Sequence, residues 1–293
     1  MADAKKPPAE TWIEELHEEF LGMRYRVKRT LLSGRSDFQK IDIVDTVGFG
    51  KMLFNDGVAM ISERDEFVYH EMISHVPLFV KPDVERVLVI GGGDGGTARE
   101  VIRHDSVSRC RLVEIDERVV EGCKEHIPRT SAALDDPRVQ VTIADGVDFV
   151  ARTEERYDLV IVDSTDPIGP ATPLFGEAFY SGVRRVLNDG GIVVSQAESP
   201  FYYPEQQISL LRILGDRFSR VHLYNYVNLT YPGGLWSFSY AAKDGPCPLG
   251  AFDDARVTHS GLDFRYYSAA IHRAAFVLPE FQTQQLAGLT TPL

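Results

Sequence analysis

The residues best suited to chemistry are acidic, and they recur at short intervals between residues 91 and 166. Gly91-Gly92-Gly93-Asp94-Gly95-Gly96 sets a carboxylate inside a glycine-rich loop. Glycines let the backbone turn tightly and approach a ligand closely, although a turn that holds no ligand has the same composition. Asp94 is the informative residue, because a carboxylate there would repel a pyrophosphate and suits a neutral or cationic group. Glu114 follows twenty residues later, in Val113-Glu114-Ile115-Asp116, the spacing at which a carboxylate hydrogen-bonds ribose hydroxyls. A first-turn helix charge is the plainer reading of Glu114, and Asp116 fits the role of helix cap better. Ala144-Asp145-Gly146 could set Asp145 at the exocyclic amine of an adenine, or simply form a turn. Acidic residues at the ends of successive strands point to a nucleoside site, and S-adenosyl compounds fit it better than NAD.

Asp163-Ser164-Thr165-Asp166-Pro167 adds two carboxylates three residues apart. Such a segment before a proline is also a common capped turn. With Asp94 directed at the same crevice, however, the carboxylates repel one another and rise in pKa unless a cation joins them. The economical ligand is a polycation. Tyr69 and Tyr231, the latter in Thr230-Tyr231-Pro232-Gly233-Gly234, could wall its aliphatic stem, and either could equally be ordinary packing. Two tempting motifs fail. His70-Glu71-Met72-Ile73-Ser74-His75 spaces its histidines at i+5, where a zinc-binding HExxH helix needs i+4, and no third ligand is evident. Asn228-Leu229-Thr230 matches a glycosylation sequon, but no signal segment accompanies it. There is no P-loop and no GxSxG elbow.

These residues need a frame to bring them together. Short apolar runs at Val87–Ile90, Arg111–Ile115, Val139–Ile143, Leu159–Val162 and Ile192–Ser195 alternate with helical patterns near 97–104, 117–126, 146–152, 177–187 and 204–218. Continuously apolar strands interleaved with helices imply a parallel sheet covered on both faces. Each acidic motif falls at the carboxyl end of a strand, where open α/β sheets bind ligands. The final strands, 221–227 and 235–242, have no helix between them and suit an antiparallel edge hairpin. Ahead of this lies a helical pattern from Glu66 to Phe79 that stops before Lys81-Pro82. An apolar-periodic stretch runs from Trp12 to about Met23, and residues 38–62 carry the alternation and Asn55-Asp56-Gly57 turn of a β-meander. The expected fold is α/β: a Rossmann-like, doubly wound, mostly parallel sheet of the S-adenosylmethionine-methyltransferase-like kind, with a small N-terminal antiparallel β domain. The expected domains are 1–66 and 67–293.

Composition narrows the partners. Lys+Arg 31 against Asp+Glu 43 leaves a net charge of −12, which disfavours a nucleic-acid surface and suits a cationic substrate. Cys110, Cys123 and Cys247 form neither a CxxC pair nor an even framework, as expected of a reducing compartment such as the cytoplasm. The N-terminus lacks an apolar signal core and no apolar run approaches a membrane span, so neither secretion nor membrane insertion is expected.

Taken together, the motifs resemble a known family. The run Glu63-Arg64-Asp65-Glu66-Phe67-Val68-Tyr69-His70-Glu71-Met72, the loop Gly91–Gly96 with Asp94, Glu114-Ile115-Asp116, Asp145-Gly146, Asp163–Pro167, Thr230-Tyr231-Pro232 and the tail from Tyr266-Tyr267 to Pro279 are similar, in order and approximate spacing, to the polyamine aminopropyltransferases. The resemblance spans about residues 12 to 281. It implies transfer of an aminopropyl group from decarboxylated S-adenosylmethionine to putrescine, giving spermidine and methylthioadenosine by SN2 attack of a deprotonated amine. By the same resemblance Gln39, Glu114, Asp145, Gly146 and Pro170 bind the methylthioadenosine part of that co-substrate. Asp163 is the general base, and Tyr69, His70, Asp94, Asp166 and Tyr231 shape the amine and aminopropyl sites. Ser164 and Thr165, between the two aspartates, contact the acceptor. No metal and no cofactor beyond the co-substrate is implied, and the assembly is a homodimer or homotetramer with the N-terminal β unit in its contacts. Gly233 departs from the pattern, since the family commonly has serine there. A methyltransferase on the same fold remains an alternative, but Asp94 would repel the carboxylate of intact S-adenosylmethionine. Cadaverine or agmatine as acceptor is another. A catalytically silent binding protein is a third, and it would be expected to have lost Asp94 or the Asp163/Asp166 pair.

Overall fold

The computed structural model describes residues 10–17, 20–165 and 169–293, with the side chains of residues 169 and 170 left out. The chain divides into two compact units, Met1–Arg64 and Asp65–Leu293.

The smaller unit is a five-stranded antiparallel sheet of β1 (Thr11–His17), β2 (Leu21–Arg35), β3 (Lys40–Thr46), β4 (Lys51–Asn55) and β5 (Val58–Ser62), paired in chain order. Asp56 and Gly57 connect β4 to β5 with φ values of 47° and 87°, the two positive φ angles that a type I′ hairpin turn demands. Tyr25, Val44, Met52, Phe54 and Ala59 form its core. The Trp12–Met23 stretch turns out to be β1 and the start of β2. Within this hairpin Glu15 is buried, accepting hydrogen bonds from the Tyr25 hydroxyl (3.3 Å) and the Ala59 N–H (3.1 Å) and pairing with His17 (2.7 Å).

The larger unit opens with helix α1 (Glu66–Val80), which is buried along nearly its whole length. It continues through β6 (Arg86–Gly91), α2 (Gly96–Val101), β7 (Arg109–Glu114), α3 (Glu117–His126), α4 (Pro128–Ser131) and β8 (Val139–Ile143). Then come α5 (Gly146–Arg152), β9 (Tyr157–Asp163), α6 (Glu177–Val186), β10 (Leu187–Gln196), α7 (Pro204–Gly215), β11 (Arg220–Val227) and β12 (Leu235–Ala242). The strands form one seven-stranded sheet in the order β11-β12-β10-β9-β6-β7-β8. β6 to β10 are parallel, while β12 lies antiparallel to β10 and pairs with β11 as the expected edge hairpin.

Period-2 alternation explains why these strands are apolar throughout. Val87, Val89, Leu159 and Ile161 enter one core cluster, with α1 residues such as Met72 and Val76. Their neighbours Leu88, Ile90, Val160 and Val162 enter the other, with α6 and α7 residues such as Phe179 and Leu211. The chain winds outward from β6 through β7 to β8, then returns to the opposite flank of β6 as β9. Connections therefore diverge above β6 and β9, and this switch point opens the crevice in which such sheets bind ligands. Among the described residues no helix is long and apolar enough to cross a membrane.

Candidate active site

β6 and β9 run in register, with Gly91 opposite Asp163, so the glycine-rich loop and the Asp163 segment leave the sheet side by side. The glycines serve the acids at least as directly as any ligand. Gly91 and Gly92 have φ of 82° and 70°, and a Cβ on them would lie 2.1 Å from the Asp163 carbonyl oxygen and 2.7 Å from Asp163 Oδ2. On Gly96 a Cβ would strike the His70 ring at 2.1 Å. The loop is glycine-rich because buried acidic and imidazole side chains pass within contact of its backbone.

His70, Asp94 and Asp163 bring one polar atom each within 4.8 Å of the others. Sequence spacing compared His70 only with His75, which instead bonds His104 (2.9 Å) and Glu100 (3.0 Å) in a separate network. Asp94 Oδ1 accepts the Gly96 N–H (2.9 Å) and lies 3.4 Å from His70 Nε2. On its other side His70 Nδ1 meets Glu66 Oε2 at 2.7 Å, and Arg99 grips both Glu66 oxygens (2.8 and 3.2 Å). A line of alternating charge, Arg99–Glu66–His70–Asp94, thus runs from helix α2 into the crevice.

The electrostatics follow from that line. Burial would raise the Glu66 carboxyl, but His70 and Arg99 outweigh it and hold it down at about 2. Burial would likewise lower the His70 imidazole, yet Asp94 and Glu66 raise it to about 9, so it is an imidazolium at neutral pH. Asp94 is pushed above the usual carboxylate range, first by burial and then by the nearby Asp163 charge, with His70 opposing.

Asp163 Oδ2 accepts from the Thr97 hydroxyl at 2.7 Å, and the buried Tyr69 hydroxyl also donates to this carboxylate. Burial, and after it the Asp163 charge, raises the Tyr69 phenol well above its usual value. Tyr231 stands edge-on to Tyr69, with ring centroids 6.0 Å apart. The Ser164 hydroxyl is buried with no hydrogen-bond partner among the described residues, and Thr165 is half-buried beside it.

On the β7 side, Glu114 is buried and accepts the Gly93 and Asp116 N–H groups at 3.1 and 3.0 Å. Burial raises it to about 7, against those bonds. Asp116 caps α3, accepting from Arg118 N–H. Asp145 caps α5 from an exposed position and receives the Val147 and Asp148 N–H groups on one oxygen, Oδ1. Gly146 packs so tightly that a Cβ would lie 2.6 Å from Ile90. Of the remaining expected residues, Asp166 and the Pro170 side chain lie outside the described residues. Gln39 belongs to the smaller unit, in the Ser36–Gln39 turn before β3. Sequence reasoning overlooked Thr97, Glu66 and Arg99. Thr97 follows the glycine loop directly, but nothing in its spacing points to a partner 66 positions away.

Known proteins resemble this chain in sequence and in fold. A family model described as the spermine/spermidine synthase domain matches residues 66–250, and one described as the spermidine synthase tetramerisation domain matches residues 11–63. A polyamine aminopropyltransferase of Bacillus subtilis (strain 168) is 44% identical over 273 residues, covering 93% of this chain and 98% of that one. The polyamine aminopropyltransferase of Methanocaldococcus jannaschii is 44% identical over 275 residues, covering 92% and 93%. Among solved structures, a spermidine synthase in complex with the transition-state analogue AdoDATO superposes with a TM-score of 0.92 at 37% identity, covering 94% of each chain. The spermidine synthase of Thermotoga maritima gives 0.89 at 36% identity, also covering 94% of each.

Proposed function

The chain belongs to the spermine/spermidine synthase family and is a polyamine aminopropyltransferase, and we propose that its substrates are decarboxylated S-adenosylmethionine and putrescine, its products spermidine and methylthioadenosine. The observation that carries the reading is the pairing of Asp94 with Asp163 across the switch point, lined by Tyr69. A buried carboxylate beside a partly buried one favours a donor that ends in an ammonium and disfavours one that also carries a carboxylate.

The reaction is a displacement. The amine nitrogen attacks the aminopropyl carbon bound to the sulfonium, the C–S bond breaks with its electrons going to sulfur, and neutral methylthioadenosine leaves. A neutral leaving group needs neither a general acid nor a metal, so the co-substrate is the only cofactor-like molecule invoked. The difficulty lies in the nucleophile, because an alkylammonium with a pKa of about 10 is mostly protonated at neutral pH. Asp163 takes the attacking nitrogen's proton, with one oxygen already held by Thr97. Such proton transfer is worth about 10²–10⁴-fold, and in-line positioning of the two substrates at least as much.

The remaining roles follow the chemistry of each group. Glu114 accepts from the ribose hydroxyls and Asp145 with Gly146 holds the adenine end, while Gln39 and Pro170 are assigned to the methylthioadenosine part by the family resemblance. Asp94 seats the aminopropyl ammonium, with His70 between Glu66 and Asp94 holding that carboxylate in place, and Ser164, Thr165, Asp166 and Tyr231 receive the acceptor. The smaller, N-terminal unit supports a homodimer or homotetramer, in keeping with the tetramerisation model matched over residues 11–63. A cytoplasmic location suits the cysteines, which are all unpaired.

The test is a product assay in which purified protein and decarboxylated S-adenosylmethionine are offered putrescine, cadaverine, agmatine or spermidine separately, with intact S-adenosylmethionine as control donor. Spermidine and methylthioadenosine with putrescine, at a higher kcat/KM than with any other amine, is the expected result. Preference for another amine would overturn the acceptor assignment, and methylated amine from the control donor alone would overturn the reading altogether. Activity is expected to survive exhaustive chelation.

A further inference from the structure

We propose that Asp65 is a positioning residue for the amine end of the site, its carboxylate pinning the loop that carries Tyr231 to the helix that carries Tyr69. The proposal rests on the reading above in one respect, the assignment of Tyr231 to the acceptor site.

Asp65 immediately precedes α1, where an aspartate ordinarily caps its own helix. Here its side chain makes no cap bond. Instead, Oδ2 accepts the Leu229 N–H at 2.7 Å and the Thr230 N–H at 2.8 Å, and Oδ1 accepts the Thr230 hydroxyl. These donors lie more than 160 positions away in sequence. The carboxylate is buried, so the bonds form where water competes little and each is correspondingly strong.

The loop closes on itself by separate bonds. Asn228 and Gly234 pair N–H to carbonyl at 3.1 Å, Asn228 Oδ1 accepts the Tyr231 N–H at 3.3 Å, and Trp236 Nε1 donates to the Pro232 carbonyl at 2.9 Å. Those contacts shape the turn but leave its placement over α1 to other contacts, among them the clamp by Asp65. Asp65 and Tyr69 are four residues apart, hence on one face of the helix entrance. The same face therefore supplies a tyrosine to Asp163 and a clamp for the loop whose tyrosine stands edge-on at 6.0 Å. A site of this kind must hold its groups within about 0.5 Å, a tolerance met only when the supporting shell is itself fixed. An asparagine at 65 keeps the shape but loses the charge: its one oxygen can still meet the two N–H groups only as a neutral acceptor, and its NH₂ then faces the Thr230 hydroxyl.

The test is a double-mutant cycle on the full-length protein. Asp65→Asn, Tyr231→Phe and the pair are compared by kcat, KM for putrescine, KM for the donor and melting temperature. Asp65→Asn is expected to raise the putrescine KM about tenfold while the donor KM stays within about twofold. Tyr231→Phe alone is expected to raise the putrescine KM, and to add less than about twofold once Asp65 is replaced, because the hydroxyl is no longer held in place. Thr230→Val, which removes one donor from the loop side, is expected to shift the putrescine KM in the same direction by less. It serves as the test if Asp65→Asn does not fold. A lowered melting temperature with both KM values unchanged, or full multiplication of the two single effects, would overturn the clamp. No effect of Tyr231→Phe by itself would overturn the Tyr231 assignment instead, and the proposal with it.

Discussion

The acids at the start of and along helix α1 and the Asp94–Asp163 pair at the ends of the strands are the same residue types, yet the protein solvates them in opposite ways. Glu66 is gripped by Arg99 through both oxygens and by His70. Glu71 receives the N–H groups of Arg265, Tyr266 and Tyr267 at 2.7 to 2.9 Å. Asp65 receives three donors from a distant loop. By contrast Asp94 has one backbone N–H and an imidazolium at 3.4 Å, and it sits near a second carboxylate. The acids at and along α1 are fully met by donors of the fold, whereas Asp94 is left undercompensated beside Asp163, and a cationic substrate would supply the missing charge. Burying an undercompensated carboxylate costs stability, so its presence at a sheet's ligand-binding edge marks a site and not a scaffold.

Substitutions sharpen that contrast. Asp163→Asn is expected to lower kcat by about 10²–10⁴-fold, the value of general-base assistance, with methylthioadenosine affinity by calorimetry nearly unchanged. Equal losses in both would remove Asp163 from the base role. Glu66→Gln should do the reverse. It leaves Arg99 and His70 without their common anion, and a broken buried pair costs about 3–5 kcal/mol, read as a large drop in melting temperature. If Glu66→Gln instead altered only the amine KM, the division between the two sets of acids would fail. Thr97→Val should lower kcat about tenfold by releasing one oxygen of Asp163, and Thr97→Ser should restore it.

The pH dependence of stability follows from the same pairs. Glu66 sits at about 2 against an ordinary 4.5, so its contribution is present above 4.5 and lost as the pH falls towards 2. His70 sits at about 9 against 6.5, so its contribution is present below 6.5 and lost as the pH rises through 9. The melting temperature should therefore fall off on both sides, and Glu66→Gln should flatten both limbs. The smallest effect concerns Gly233, whose φ is +70° and whose Cβ would lie 2.8 Å from the Tyr202 ring. Serine there should cost about 1–2 kcal/mol in backbone strain, a cost that persists when Tyr202 is trimmed to alanine, which relieves only the ring contact.

The contrast also accounts for what the sequence reveals and what it hides. The parallel strands are legible because both faces of each are buried, which forces uninterrupted apolar runs such as Val87–Ile90. The strand-end acids are legible because topology places them, Asp94 and Asp163 falling at adjacent carboxyl ends. The first hairpin is hidden. β1 turns Glu15 and His17 inward and leaves Trp12 and Leu16 exposed, the reverse of the apolar-in, polar-out alternation that would announce a strand. Thr97, Glu66 and Asp65 are hidden for another reason. Their roles are set by partners that the fold alone brings close, 66 positions away for Thr97 and 165 for Asp65.

The most direct single measurement is of donor discrimination at Asp94: the dissociation constants of decarboxylated and intact S-adenosylmethionine for the native protein and for Asp94→Asn. If the undercompensated carboxylate selects the donor, the native protein binds the decarboxylated form more tightly and Asp94→Asn shrinks the ratio by about tenfold or more, through both weaker ammonium binding and relief of repulsion. An unchanged ratio would mean that Asp94 does not choose the donor, and the distinction between the two sets of acids would lose its functional meaning.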